Sequence, residues 1–96
     1  MIIKKGKIEE FLVECQKIRP IVLAEFGCLM YDYTREIHSG SERQEPVNSD
    51  RITLYEKWES IESLNMHLNT QHMKEFVLRV APMRENVIIR TGTEAF

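Results

Sequence analysis

Two stretches in which side chains alternate with period two constrain this chain more than any other feature. In Cys28–Glu36, Leu29, Tyr31 and Tyr33 fall on one face and Cys28, Met30 and Asp32 on the other. In Arg51–Trp58, Ile52, Leu54, Glu56 and Trp58 oppose Thr53, Tyr55 and Lys57. Such alternation specifies β-strands with one buried face. Each strand is flanked by a segment of helical period. Before the first, Ile8, Phe11, Leu12, Cys15 and Ile18 recur at steps of three and four, one apolar stripe. Glu9 and Glu10 sit in the first turn of that helix and Lys17 and Arg19 in the last, as the helix dipole prefers. Pro20 predicts a kink or restart, Ile21–Ala24 continue the helix, and Gly27 ends it.

After the second strand Ser60 is a good N-cap. Ile61, Leu64 and Leu68 form the expected apolar face of a short helix. Thr70 can cap a second segment with Met73, Phe76, Val77 and Val80 inward, and Pro82 closes it. Ile2 and Ile3 begin a short first strand stopped by Gly6, and Glu85–Thr91 reads as the last. The order is β-α-β-β-α-β, an α+β, ferredoxin-like arrangement with an antiparallel sheet. Ile37–Asp50, polar and carrying Gly40 and Pro46, reads as a long hairpin loop, mobile or reaching across a dimer. Helices on one sheet face leave the other to be covered, so the expectation is a homodimer with its sheets packed together as an α+β barrel.

A chain of 96 residues supports one domain, taken as residues 1–96. Thirteen basic against fifteen acidic residues leave a net charge of −2, with no basic excess to hold a phosphate backbone, so no nucleic-acid partner is expected. Lys4, Lys5 and Lys7 read as a solvated surface. The N-terminal MIIKKGK carries no apolar signal core and no stretch suits a membrane span, so a cytoplasmic protein is expected. Cys15 and Cys28 form neither a disulfide framework nor a zinc pattern and read as small buried thiols. Met30, Met66, Met73 and Met83 suit irregular apolar space.

Three pieces in order carry a resemblance: Ala24-Glu25-Phe26-Gly27-Cys28, Tyr55-Glu56-Lys57-Trp58-Glu59-Ser60, and His67-Leu68-Asn69-Thr70-Gln71-His72-Met73-Lys74. With Lys17–Pro20 and Val22-Leu23 they resemble the antibiotic biosynthesis monooxygenase family, and most closely its quinol monooxygenase branch. Two departures stand out. Phe26 replaces a usual Pro, and family members carry about seven more residues before the position of Ile2. The resemblance implies oxidation of a small quinol or phenolic aromatic by O2 with no bound cofactor. It also names competing sister activities. One isomerises or degrades a small phosphorylated signal molecule, and this chain shows no convergent Arg/Lys anchor for it. Another degrades haem with an Asn on the first strand, where Ile2 and Ile3 offer none. A non-catalytic dimeric binding module is the remaining reading.

The chemistry implied needs a base for a substrate hydroxyl, and His is suited to it near neutral pH. His67, three residues after Leu64 and beside Leu68, sits on or near the apolar helix face and is the first candidate. His72, at the start of the next helical segment, is the second, because a helix N-terminus disfavours an imidazolium. Spaced five apart, they are not the paired helical ligands of a zinc protease, and no carboxylate–histidine set reads as metal-binding, so no metal is expected. His38 lies in the polar loop. For the substrate, Trp58 offers a flat pocket wall. Glu56, the odd carboxylate on an apolar face, needs a partner such as His67 or Arg90. Tyr31 and Tyr33 can donate to a phenolate or pack in a dimer interface.

Overall fold

The computed structural model describes residues 1–96. It contains β1 (Ile2–Ile3), α1 (Ile8–Leu23), β2 (Cys28–Arg35), β3 (Ile52–Trp58), α2 (Ile61–Leu68), α3 (Gln71–Val80), a 3-10 turn (Ala81–Met83) and β4 (Arg84–Asn86). The expected order holds, with the second helical region divided at Thr70. β1 pairs with β4, and β2 with β3, both antiparallel. An isolated bridge from Ile2 to Arg51 joins the two pairs. Main-chain bonds from Ile3 N to Asp50 O (2.8 Å) and Ile52 N to Met1 O (2.9 Å) complete the junction. The strands therefore run β4-β1-β3-β2, with the helices on one face.

The apolar stripe of α1 enters the core as its spacing predicts. Phe11, Cys15, Ile18 and Val22 are buried and meet Tyr31, Ile52, Met73, Phe76 and Val80. Pro20 lies inside α1, which continues through Leu23; Lys17 and Arg19 are consequently a turn short of its end. Arg19 ties α1 to β2 by donating to Tyr31 O and Asp32 Oδ1, each at 2.8 Å. Residues 37–50 form no helix or strand, as expected of a loop.

Several expectations require correction. The inward face of α2 is Ser63 and His67, while Ile61 and Leu68 are exposed: the short helix presents its polar side to a polar site and its apolar residues outward. Val77 is exposed too, so the inner stripe of α3 is Met73, Phe76 and Val80. Leu29 does not share the inward face of Tyr31 and Tyr33, because the register shifts between Cys28 and Met30, and such a bulge re-aims the side chain it carries. Met66 is likewise exposed and Cys28 only half-buried.

The last strand is also shorter than its β-branched run suggests. Asn86 pairs with Ile2 at the start of β1. Past that point Val87, Ile88 and Ile89 have no strand alongside and are exposed. The same geometry affects β3. β1 reaches along it only to Ile52, so Leu54, Glu56 and Trp58 have a neighbouring strand on the β2 side alone. The sheet face turned from the helices bears Asp32, Thr34, Thr53 and Lys57 beside the more apolar Met30 and Tyr55.

Beneath α1 the Cys15 thiol and the Tyr31 and Tyr33 hydroxyls are crowded together. Tyr31 and Tyr33 meet edge to face at 5.6 Å, and the buried Tyr33 hydroxyl has no hydrogen-bond partner. Burial pushes the Cys15 thiol up from 9.0 to about 12 and raises both phenols in the same sense. An acid whose folded pKa is raised contributes stability below its unfolded pKa and loses it as pH rises toward the folded one. Stability should therefore fall between about pH 9 and pH 12. Urea unfolding across that range should show a shallower fall in Cys15→Ala; an unchanged slope would place the loss elsewhere.

Candidate functional site

The site is assembled by a turn, a helix start and a helix junction. After α1 the chain turns through Glu25, with Glu25 N donating to Val22 O at 2.9 Å and Cys28 N to Glu25 O at 3.2 Å. Gly27 adopts φ +80°, a conformation that suits glycine. A Cβ there would collide with the Ser63 hydroxyl and lie 2.7 Å from Ser63 Cβ. The bare glycine thus lets the start of α2 close onto the turn. Ser60 accepts from Ser63 N at 3.1 Å, fixing that start. One helical turn after Ser63, on the same face, His67 arrives beside Glu25.

Thr70 then sets the third part. Its hydroxyl donates to His67 O at 2.8 Å and accepts from Met73 N at 3.3 Å. It caps α3 while holding the end of α2, and so places His72 in the first turn of α3.

The result is a carboxylate shared by two imidazoles. Glu25 Oε2 lies 2.8 Å from His67 Nδ1 and 2.9 Å from His72 Nε2. The His67 side chain is 1% exposed, Glu25 13% and His72 29%. In the tautomers that donate to Glu25, His67 carries its proton on Nδ1 and keeps its lone pair on Nε2. That second nitrogen faces Glu56, 3.9 Å away, a distance too long for a hydrogen bond. Glu56 is held instead by Trp58, whose Nε1 donates to Glu56 Oε1 at 3.0 Å. The Trp58 ring lies over His67 at 4.6 Å between centroids and 34° between planes. Tyr31 closes another side of the imidazole at 5.6 Å.

The structure therefore brings His67, Trp58, Glu56 and Tyr31 together, with His72 joined through Glu25. Tyr33 contacts Tyr31 and points toward Cys15, a layer away from the imidazole. Glu56 pairs with neither Arg90 nor any other cation; its partner is the Trp58 indole. His38 is exposed in the loop, as expected, where it accepts from Gly40 N at 3.0 Å. Sequence reasoning missed Glu25 as a site residue. The available signals were a carboxylate two residues before a turn glycine and its place in the family-like piece Ala24–Cys28. Nothing local says that its partners lie 42 and 47 positions away.

A two-layer α+β domain with a carboxylate-held imidazole under an indole is what the geometry defines. The model of a family described as "Antibiotic biosynthesis monooxygenase" matches residues 1–79, and the chain belongs to that family. Over 60 residues it is 42% identical to the "Probable quinol monooxygenase YgiN" of Escherichia coli (strain K12), covering 62% of this chain and 57% of that protein. The protein of the same name from Shigella flexneri matches with the same identity and coverage. The chain thus spans little more than half the length of these curated relatives. A crystal structure of a conserved protein from Methanosarcina mazei Go1 superposes with a TM-score of 0.75 at 25% identity, covering 88% of this chain and 75% of that one.

Glu25 is the one group in contact with both imidazoles, and it joins the end of α1 to α2 and α3. Truncating it strips a buried imidazole of its partner. Glu25→Ala should cost about 3 kcal/mol, toward the low end for breaking a buried polar pair. His72→Ala, at a more exposed position, should cost about 1 kcal/mol. Urea denaturation of the two variants checks this, and equal costs would show that Glu25 does not hold the three segments together.

Proposed function

We propose that this chain is a cofactor-independent monooxygenase that oxidises a small quinol or phenolic aromatic with O2, His67 acting as the base. The observation that carries the reading is the His67 ring itself. Its Nδ1 is held by Glu25, its face is covered by Trp58, and its Nε2 has no hydrogen-bond partner. A carboxylate that holds one nitrogen of an imidazole fixes the tautomer and stabilises the cation formed when the other nitrogen takes a proton. Family membership and the likeness to probable quinol monooxygenases support the same class of chemistry.

In this reading the flat substrate lies against Trp58, near the edge of β3 where no strand covers Leu54, Glu56 and Trp58. His67 Nε2 takes the proton of a ring hydroxyl. The resulting anion passes an electron to O2, and the radical pair joins carbon to oxygen as a hydroperoxide. Loss of water leaves one oxygen atom on the ring. The substrate supplies all four electrons: a quinol plus O2 becomes a hydroxyquinone plus water, so no outside reductant is required. His72 is a positioning residue that acts through Glu25, not a second base. Tyr31 packs the imidazole and Glu56 orients the indole, while Tyr33 supports Tyr31.

The functional unit in this reading is a homodimer, formed through the sheet face that carries Met30 and Tyr55, with residues 37–50 as loop or arm. The exposed residues on that face are partly polar, so the interface would mix apolar contact with hydrogen bonds. A reduced, cytoplasmic setting suits two free cysteines. The non-catalytic alternative keeps the pocket without turnover.

Oxygen consumption with menadiol-type quinols decides between them. His67→Ala should lower turnover by roughly a hundredfold with the fold retained. Trp58→Ala should mainly raise KM. Its half-buried ring implies a stability cost of about 1–3 kcal/mol, less than that of a fully buried indole. Full activity in His67→Ala would remove the base assignment, and no turnover of any quinol by the wild type would favour the binding module.

A further inference from the structure

We propose that Glu25, His67 and His72 also form a binding site for one divalent transition-metal ion of the borderline kind, such as Zn2+ or Co2+. Glu25 Oε2, His67 Nδ1 and His72 Nε2 all lie within 4.8 Å of one another. A tetrahedral ion with bonds of about 2.0–2.1 Å needs donors about 3.4 Å apart. The observed 2.8 and 2.9 Å separations need to open by about half an ångström, and the two imidazole nitrogens, within 4.8 Å of each other, need to settle at the same spacing. Two imidazoles and one carboxylate suit zinc, cobalt or iron(II) and not magnesium or calcium, which prefer oxygen shells.

Three further features favour a cation here. First, Glu25 is largely buried, and its partners are two imidazoles, with no Arg or Lys among them. A buried carboxylate gains most from full charge compensation. Second, the far side of His67 faces a carboxylate. When Nδ1 binds the ion, the ring proton moves to Nε2, 3.9 Å from Glu56, and a small approach gives the carboxylate–histidine–metal arrangement that orients such ligands. Glu56 is already steadied by Trp58 at 3.0 Å. Third, the donors come from three segments held by the Gly27 turn, the Ser60 cap and the Thr70 junction, and half-exposed His72 offers a path from solvent.

Binding has a consequence for the reaction proposed above, and this consequence alone rests on that reading. A metal on Nδ1 leaves Nε2 carrying a proton, so His67 can no longer act as base. Occupancy should switch turnover off, and a chelator should restore it.

The test is calorimetric titration of the full chain with Zn2+, alongside Co2+ visible absorption, for wild type, Glu25→Gln, His72→Gln, Glu56→Gln and the loop control His38→Ala. One ion per chain is expected, with the intense visible bands of tetrahedral cobalt. Affinity should fall roughly tenfold or more in Glu25→Gln, His72→Gln and Glu56→Gln and hold in His38→Ala. Circular dichroism checks the fold of each variant; if Glu25→Gln unfolds, His72→Gln, at a half-exposed position, decides alone. No Zn2+ binding by wild type, or affinity unchanged in His72→Gln, overturns the site. Binding that leaves quinol turnover untouched supports the site and counts against His67 as base.

Discussion

A single oxygen of Glu25 is bonded to imidazoles from two different helices, and the rest of the site depends on that sharing. The carboxylate leaves the end of α1, His67 comes from α2 and His72 from the first turn of α3. The orientation of His67 follows, because one ring nitrogen is committed to Glu25 while the other faces Glu56 and the Trp58 ring covers a face. An imidazole buried to this degree needs a partner, and Glu25 is that partner. The glycine turn and the two hydroxyl caps make the approach sterically possible. The aromatic residues then close the ring in from the sheet side, so packing and hydrogen bonding fix the same nitrogen.

The architecture was legible because two periods, 2 and 3.6, alternate along the chain and the caps fall where they switch. Ser60 and Thr70 both act as the sequence expects, each accepting a main-chain N–H at its helix start. The sequence also predicts the inward direction of His67, but on the wrong ground. The company of Leu64 and Leu68 points it inside, whereas Leu68 is exposed and the companion that goes in is Ser63. A short helix of mixed face cannot be phased by its apolar residues when the surface it meets is polar. Glu25 was illegible for a different reason: its partners are distant in sequence, and a carboxylate in a turn looks like any solvated loop residue. β4 ends before Val87, Ile88 and Ile89 despite their strand propensity, because propensity yields when no neighbouring strand lies alongside.

That limit on the sheet bears on the chemistry. β3 runs on from Ile52 to Trp58 with β2 on one side only, so the indole and Glu56 remain partly exposed while the imidazole beneath them is buried. The His67 imidazole is shielded from bulk water while the wall beside it is open. The reaction proposed above requires this division of labour, since its reactive intermediates must be kept from water and a flat substrate must still enter. The same clamp would give the cluster a second state if it takes the proposed metal ion. With protons on the donors that face Glu25, His67 Nε2 is free to accept a proton. With a metal ion in their place, the proton shifts to Nε2 and that capacity is lost.

The central claim is that Glu25 holds the proton of His67 on Nδ1 and leaves Nε2 as the acceptor. Two-dimensional proton–nitrogen NMR of the imidazole rings, in metal-free protein near neutral pH, tests it most directly. The account predicts a slowly exchanging, strongly downfield Nδ1 proton on His67 and an Nε2 with the nitrogen shift of an unprotonated ring atom, both altered in Glu25→Gln. A His67 ring protonated on Nε2, or one whose signals are unchanged in Glu25→Gln, would contradict it.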